Sequence, residues 1–119
     1  MKITGHHYVL AVESIAVTGD FFERALGFRE VFNDGNWRFM KSDDCMVMLG
    51  ECPDATPMQD LGDHQYFAYL VVDDADEFLA RCRSSDVEIT HPIGDKPWKM
   101  REFGIRTPDG HRIMIGHNL

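Results

Sequence analysis

Two stretches of this chain repeat one another. Arg38-Phe39-Met40-Lys41-Ser42-Asp43 and the residues running on to Gly50 lie against the segment from Gly104 to Gly116 at a constant offset of 66. That offset brings Asp43 onto Asp109, Met48 onto Met114 and Gly50 onto Gly116. A second echo, at an offset of 57, sets Phe21-Phe22-Glu23-Arg24 beside Phe78-Leu79-Ala80-Arg81. A chain carrying the same helix-like and strand-like segments twice, in the same order, is built from two equivalent modules.

Local patterning supplies the elements of each module. Residues 7–12 are short, apolar and β-prone, and Ser14 then offers a helix N-cap. Over 15–26 the apolar residues Phe21, Phe22, Ala25 and Leu26 recur on one helical face, and Gly27 supplies the stop. Strands follow at 28–33, 37–41 and 45–49, separated by Asp34-Gly35-Asn36 and Ser42-Asp43-Asp44, both turn-forming. The periodicity dissolves over 51–64, among Pro53, Pro57 and Gly62. A strand at 65–72 opens the second half. Asp74 and Glu77 form a capping box there, and Phe78, Leu79 and Cys82 mark the buried side of a helix. Strands at 87–90, 98–106 and 111–116 complete it, with His91-Pro92 and Gly94-Asp95-Lys96-Pro97 as breakers and Thr107-Pro108-Asp109-Gly110 as a type I turn. The expected organisation is a single domain, 1–119, of two β-α-β-β-β modules, 1–50 and 65–119, joined by a linker at 51–64.

Composition narrows the function. At 119 residues the chain is long enough to bury a core without staples. Cys45, Cys52 and Cys82 lack Cys-x-x-Cys spacing, so neither a disulfide framework nor a thiolate zinc site is indicated. A net charge of −8 disfavours nucleic acid and suits a ligand that is neutral or positively charged. No apolar run is long enough to span a membrane and no signal-like segment opens the sequence, so a soluble cytoplasmic protein is expected.

The order of these motifs resembles the vicinal oxygen chelate superfamily, also called the glyoxalase/bleomycin resistance/dioxygenase fold. The resemblance rests on His7-Tyr8-Val9-Leu10-Ala11-Val12-Glu13-Ser14-Ile15, on Ala25-Leu26-Gly27-Phe28, on Val72-Asp73-Asp74 and on Thr107-Pro108-Asp109-Gly110-His111. It implies an α+β fold in which tandem β-α-β-β-β modules form a curled, mixed eight-stranded sheet around a cavity, and a homodimer as the usual assembly. Metal-using members place His or Gln and Glu ligands at positions that here fall on His7, Met48, Phe67 and Met114. Only His7 is a donor suited to a hard or borderline cation. No cofactor and no metal site are therefore expected.

Strand alternation from those positions turns His7, Met46, Met48, Phe67, Tyr69, Arg112 and Met114 towards one concave face. Trp37 and Trp98, ahead of the terminal strands, add rings, and Met100 and Glu102 lie on the strand between. Two readings of this face stand: a wall that grips a flat or apolar ligand, and a filled core. The polar residues Arg38, Lys99, Arg101, Glu102, Arg112 and His7 favour the first. His7 is either a proton carrier or a hydrogen-bonded structural residue. Glu102 is either a cavity acid or part of a solvent-side charge ladder. His64, His91, His111 and His117 are expected to be exposed.

Two classes of function follow. The first is a metal-free small-molecule-binding protein of the bleomycin-resistance type, a homodimer sequestering an apolar or aromatic ligand, neutral or cationic, in a dimer cavity. The second is an enzyme of the same fold, a lyase, isomerase or ring-cleaving oxygenase, using displaced metal ligands or acid–base chemistry by His7 and Glu102.

Overall fold

A computed structural model describes all residues, 1–119, as two compact units, Met1–Ala55 and Thr56–Leu119. The first holds β1 (Tyr8–Val12), α1 (Ile15–Leu26), β2 (Arg29–Asn33), β3 (Trp37–Ser42) and β4 (Cys45–Glu51). The second holds a 3-10 turn (Met58–Asp60), β5 (Ala68–Val71), α2 (Ala75–Ser84), β6 (Glu88–Asp95), β7 (Met100–Arg106) and β8 (Arg112–Asn118). The fold is α+β, and the β-α-β-β-β order repeats. Within the chain the eight strands hydrogen-bond as two four-stranded sheets, ordered β1-β4-β3-β2 and β5-β8-β7-β6. The first strand of each runs parallel to the last, and the other pairs are antiparallel.

Each helix exists to cover one sheet face. Ser14 accepts the Val17 N–H through its hydroxyl, as expected of an N-cap. Gly27, with φ of 75°, ends α1 in the left-handed conformation, where its N–H reaches the Glu23 carbonyl and that of Phe28 reaches the Phe22 carbonyl. Phe21, Phe22, Ala25 and Leu26 are buried with Leu10, Val12, Met40, Val47 and Leu49, the alternate residues of β1, β3 and β4. In the second module Leu79 and Cys82 are buried, as are Phe103, Ile105, Ile113 and Ile115 of β7 and β8. Asp74 caps α2 by accepting the Glu77 N–H.

The repeat extends to a detail at the two helix starts. Glu51 follows Gly50 and accepts the Ile15 N–H at 3.1 Å; His117 follows Gly116 and accepts the Ala75 N–H through Nδ1 at 2.8 Å. Each satisfies a first-turn donor that the helix itself cannot. Glu51→Ala and His117→Ala are each expected to cost about 1 kcal/mol in urea unfolding. Glu51→Gln and His117→Asn keep an acceptor and are expected to recover most of that loss.

Several elements differ from the sequence expectation. The strand expected over 65–72 begins only at Ala68, and that expected over 98–106 begins at Met100 because Lys99 takes φ of 66° in the preceding turn. His91-Pro92 does not end a strand: β6 continues to Asp95 with two register shifts. It lies at the edge of its sheet, where a missing proline N–H leaves no ladder bond unmade. His111 is not exposed; it is buried after the Thr107–Gly110 turn. His117 is half-buried on β8, drawn in by its bond to α2.

Candidate ligand-binding faces

The sheet faces turned away from the helices set the site. In the first module, Val9 pairs with Met48, Met48 with Phe39, and Phe39 with Phe32. A parallel row runs Ala11, Gly50 and Trp37. Phe32 reaches this face through a β-bulge. Glu30 pairs with Met40 on the helix side, and strict alternation would put Phe32 there too, but the register shift around Val31 turns it over. Phe32, Phe39 and Trp37 then form a line of rings, with centroids 4.9 Å and 6.3 Å apart.

The Trp37 indole lies over Gly50, where an added Cβ would come within 2.9 Å of Cη2. Asp34 fixes the turn ahead of it, accepting the Asn36 and Trp37 N–H groups at 3.0 and 2.7 Å. Those bonds, the Trp37 N–H foremost, hold the Asp34 carboxyl below its ordinary range. A groove of about 470 Å³ opens beside the indole, lined by Val9, Ala11, Trp37, Gly50, Glu51 and Cys52 among others. Val9 is 63% exposed and Trp37 38%, so this apolar surface is not a sealed core. Met46, opposite Lys41, and Met48 are half-buried.

The second module repeats the plan with different chemistry. Tyr69 pairs with Met114, Met114 with Gly104, and Glu102 with Gly116. Register therefore makes Glu102 the counterpart of Trp37, each facing the glycine of its terminal strand. Trp98, expected in that role, lies in the turn before β7 and is 62% exposed. The Tyr69 hydroxyl donates a short hydrogen bond to Glu102. Burial, reinforced by this acceptor, pushes the Tyr69 phenol well above its ordinary range, so it stays protonated and donating.

The remaining candidates are dispersed. His7 is exposed ahead of β1. Phe67, just before β5, meets the His111 ring edge-on at 6.0 Å. Arg112 donates to the Gly62 and Gln59 carbonyls at 2.8 and 3.0 Å, and so braces the segment before β5. Met100 is half-buried at the start of β7 opposite Asn118.

Two of the polar residues expected close to this face lie on the other. Arg38 is buried on the helix side, donating to Glu30 at 2.7 Å and to Asp20 and the Ile15 and Ala16 carbonyls at 3.1 Å. Arg101 pairs with Asp76, in the first turn of α2, and with Asp95. Phe32 and Phe39, conversely, were not among the candidates. Alternation from Trp37 reaches Phe39, whereas nothing in the local pattern marks the bulge that exposes Phe32.

Of the four positions to which the family resemblance carries metal ligands, His7, Met48, Phe67 and Met114, three do not suit a hard cation. Met48 and Met114 offer soft, neutral thioethers and Phe67 no donor at all. No three His, Cys, Asp or Glu side chains converge closely enough to hold a metal ion.

The model of the Glyoxalase/Bleomycin resistance protein/Dioxygenase superfamily matches residues 4–115. The chain belongs to this superfamily. Among solved structures, a bleomycin-binding protein complexed with bleomycin is similar at 24% identity and a TM-score of 0.81, covering 98% of this chain and 100% of that one. TioX from Micromonospora sp. ML1 shares 23% identity at a TM-score of 0.77, with coverage of 97% and 100%. Lactoylglutathione lyase from Agrobacterium tumefaciens shares 19% at 0.74, with coverage of 98% and 96%. At these identities the likeness is one of fold. No curated protein sequence matches the chain. No helix is long and apolar enough to cross a membrane.

Proposed function

We propose that this superfamily member is a metal-free, cytoplasmic small-molecule-binding protein, a homodimer that holds a flat apolar or aromatic ligand against its methionine and aromatic sheet faces. The observation that carries this reading is the partly exposed sheet face on which the Trp37 indole, with the groove on one side of it, continues into the Phe39 and Phe32 rings, Met48 standing opposite Phe39. Rings and thioethers take a planar guest with little reorganisation, because a thioether adapts in shape and attracts ring edges. The absence of donors at Met48, Phe67 and Met114 supports binding without a metal. The likeness to a bleomycin-binding protein supports a binding role on the same fold. A charge of −8 suits a ligand that is neutral or positive.

The test uses a Trp98→Phe protein, which leaves Trp37 as the single indole. Acridine, neutral and planar above neutral pH, is expected to quench its fluorescence saturably and to protect Cys52 from a thiol reagent. A linear, unsaturable response with Cys52 unprotected would refute the reading.

A further inference from the structure

The open face of the second sheet carries an acid that the groove beside Trp37 does not use. Glu102 is 3% exposed, and Tyr69 is its side-chain hydrogen-bond partner. The arginines on β7 and β8 are engaged elsewhere. Arg101 is turned to the other face and held by Asp76 and Asp95, Arg106 pairs with Glu88 at 2.8 Å, and Arg112 is bound by the Gln59 and Gly62 carbonyls. The Lys96 ammonium lies near Gly94, the residue paired with Glu102 across β6 and β7, but forms no ion pair with Glu102. A buried carboxyl group with no ion pair is costly, and a ligand that brings a positive charge recovers part of that cost.

The surroundings suit such a ligand. Gly104 and Gly116 leave the floor of the face without side chains of its own. The His91 ring, the Thr90 hydroxyl and the Met114 sulfur take the space above Gly104, and the Tyr69 hydroxyl and the Glu102 Cβ that above Gly116. Tyr69, 39% exposed, presents a ring face of the kind that attracts organic cations. Resting on the reading of the chain as a ligand-binding protein, we infer that Glu102 and Tyr69 form an anchor for an organic cation of the amidinium or ammonium type. The carboxylate supplies the charge, the phenol holds it in place, and the Tyr69 and Met114 side chains border the bound group.

The experiment compares benzamidinium with its neutral near-isostere benzamide by amide chemical-shift titration. Benzamidinium is expected to move the Tyr69, Glu102 and Gly116 amides and to bind about tenfold more tightly than benzamide. Glu102→Gln should abolish that preference. Glu77→Gln, which removes the same charge from an exposed position on α2, should keep it. Equal binding of the two probes by the unaltered chain, or a preference that survives Glu102→Gln, overturns the inference. If Glu102→Gln does not fold, Tyr69→Phe decides: a reduced preference supports the anchor and an unchanged one overturns it. Acridine quenching of Trp37 reports the underlying binding function separately, so either can fail while the other stands.

Discussion

Phe22→Ala is expected to lower the unfolding free energy by about 3–5 kcal/mol, against a total stability of about 5–15 kcal/mol for a domain of this kind. Phe22 is 0% exposed and lies edge-on to Phe21 at 5.9 Å and Phe28 at 5.2 Å. Its loss would remove buried apolar area and leave a cavity between α1 and the sheet that these neighbours cannot fill. A drop in melting temperature of about 10–20 °C should follow by circular dichroism. Phe39→Ala is the internal comparison. Phe39 is also a strand-region aromatic, but it stands on the open face of β3, half-buried between Phe32 and Trp37. Its truncation is expected to cost well under half as much. Equal losses for the two would mean that the open face is packed as tightly as the helix-covered one.

Trp37→Ala should have the opposite profile, with little effect on stability and a large one on binding. The indole lies over Gly50 and lines the groove, yet it is 38% exposed and touches none of the α1 packing described above. An aromatic wall of this kind is the usual seat of a binding hot spot, and its loss is expected to weaken acridine binding by about 2 kcal/mol, roughly 30-fold. Calorimetric titration of the variant measures this directly. Trp98→Ala, which removes an exposed ring from the turn before β7, should leave the affinity unchanged. A Trp37→Ala protein that binds acridine as well as the unaltered chain would remove the groove from the account.

What could be read from the amino acids divides along physical lines. The helix over 15–26 was legible because Phe21, Phe22, Ala25 and Leu26 mark one face, Ser14 caps it and Gly27 stops it, and the observed helix is Ile15–Leu26. The duplication was legible too, since it needs only counting. Side-chain direction was harder. Arg38 and Arg101 flank residues of the open face in sequence. A one-residue step on a strand reverses the face, and both reach back to acidic groups beside their helices instead. Phe32 was hidden by a bulge, which no alternation pattern announces. An exposed His117 is what the sequence suggests near the terminus, because its partner, the Ala75 N–H, lies 42 residues away in sequence. Glu102 left two readings open. Its burial and its bond from Tyr69 place it on the open face and not in a solvent-side charge ladder.

The most direct test of the central claim labels the methionine methyl groups and follows them by NMR as acridine is added. Met40 and Met48 make a matched pair on adjacent strands of the same sheet. Met40 is 0% exposed on the helix side, whereas Met48 is half-buried on the open face beside Phe39 and Val9. A ring bound on the open face should shift the Met48 methyl saturably and leave Met40 in place. Saturable binding that moves Met40 while Met48 stays still, or addition of acridine that moves neither, would contradict a ligand-binding role for this face.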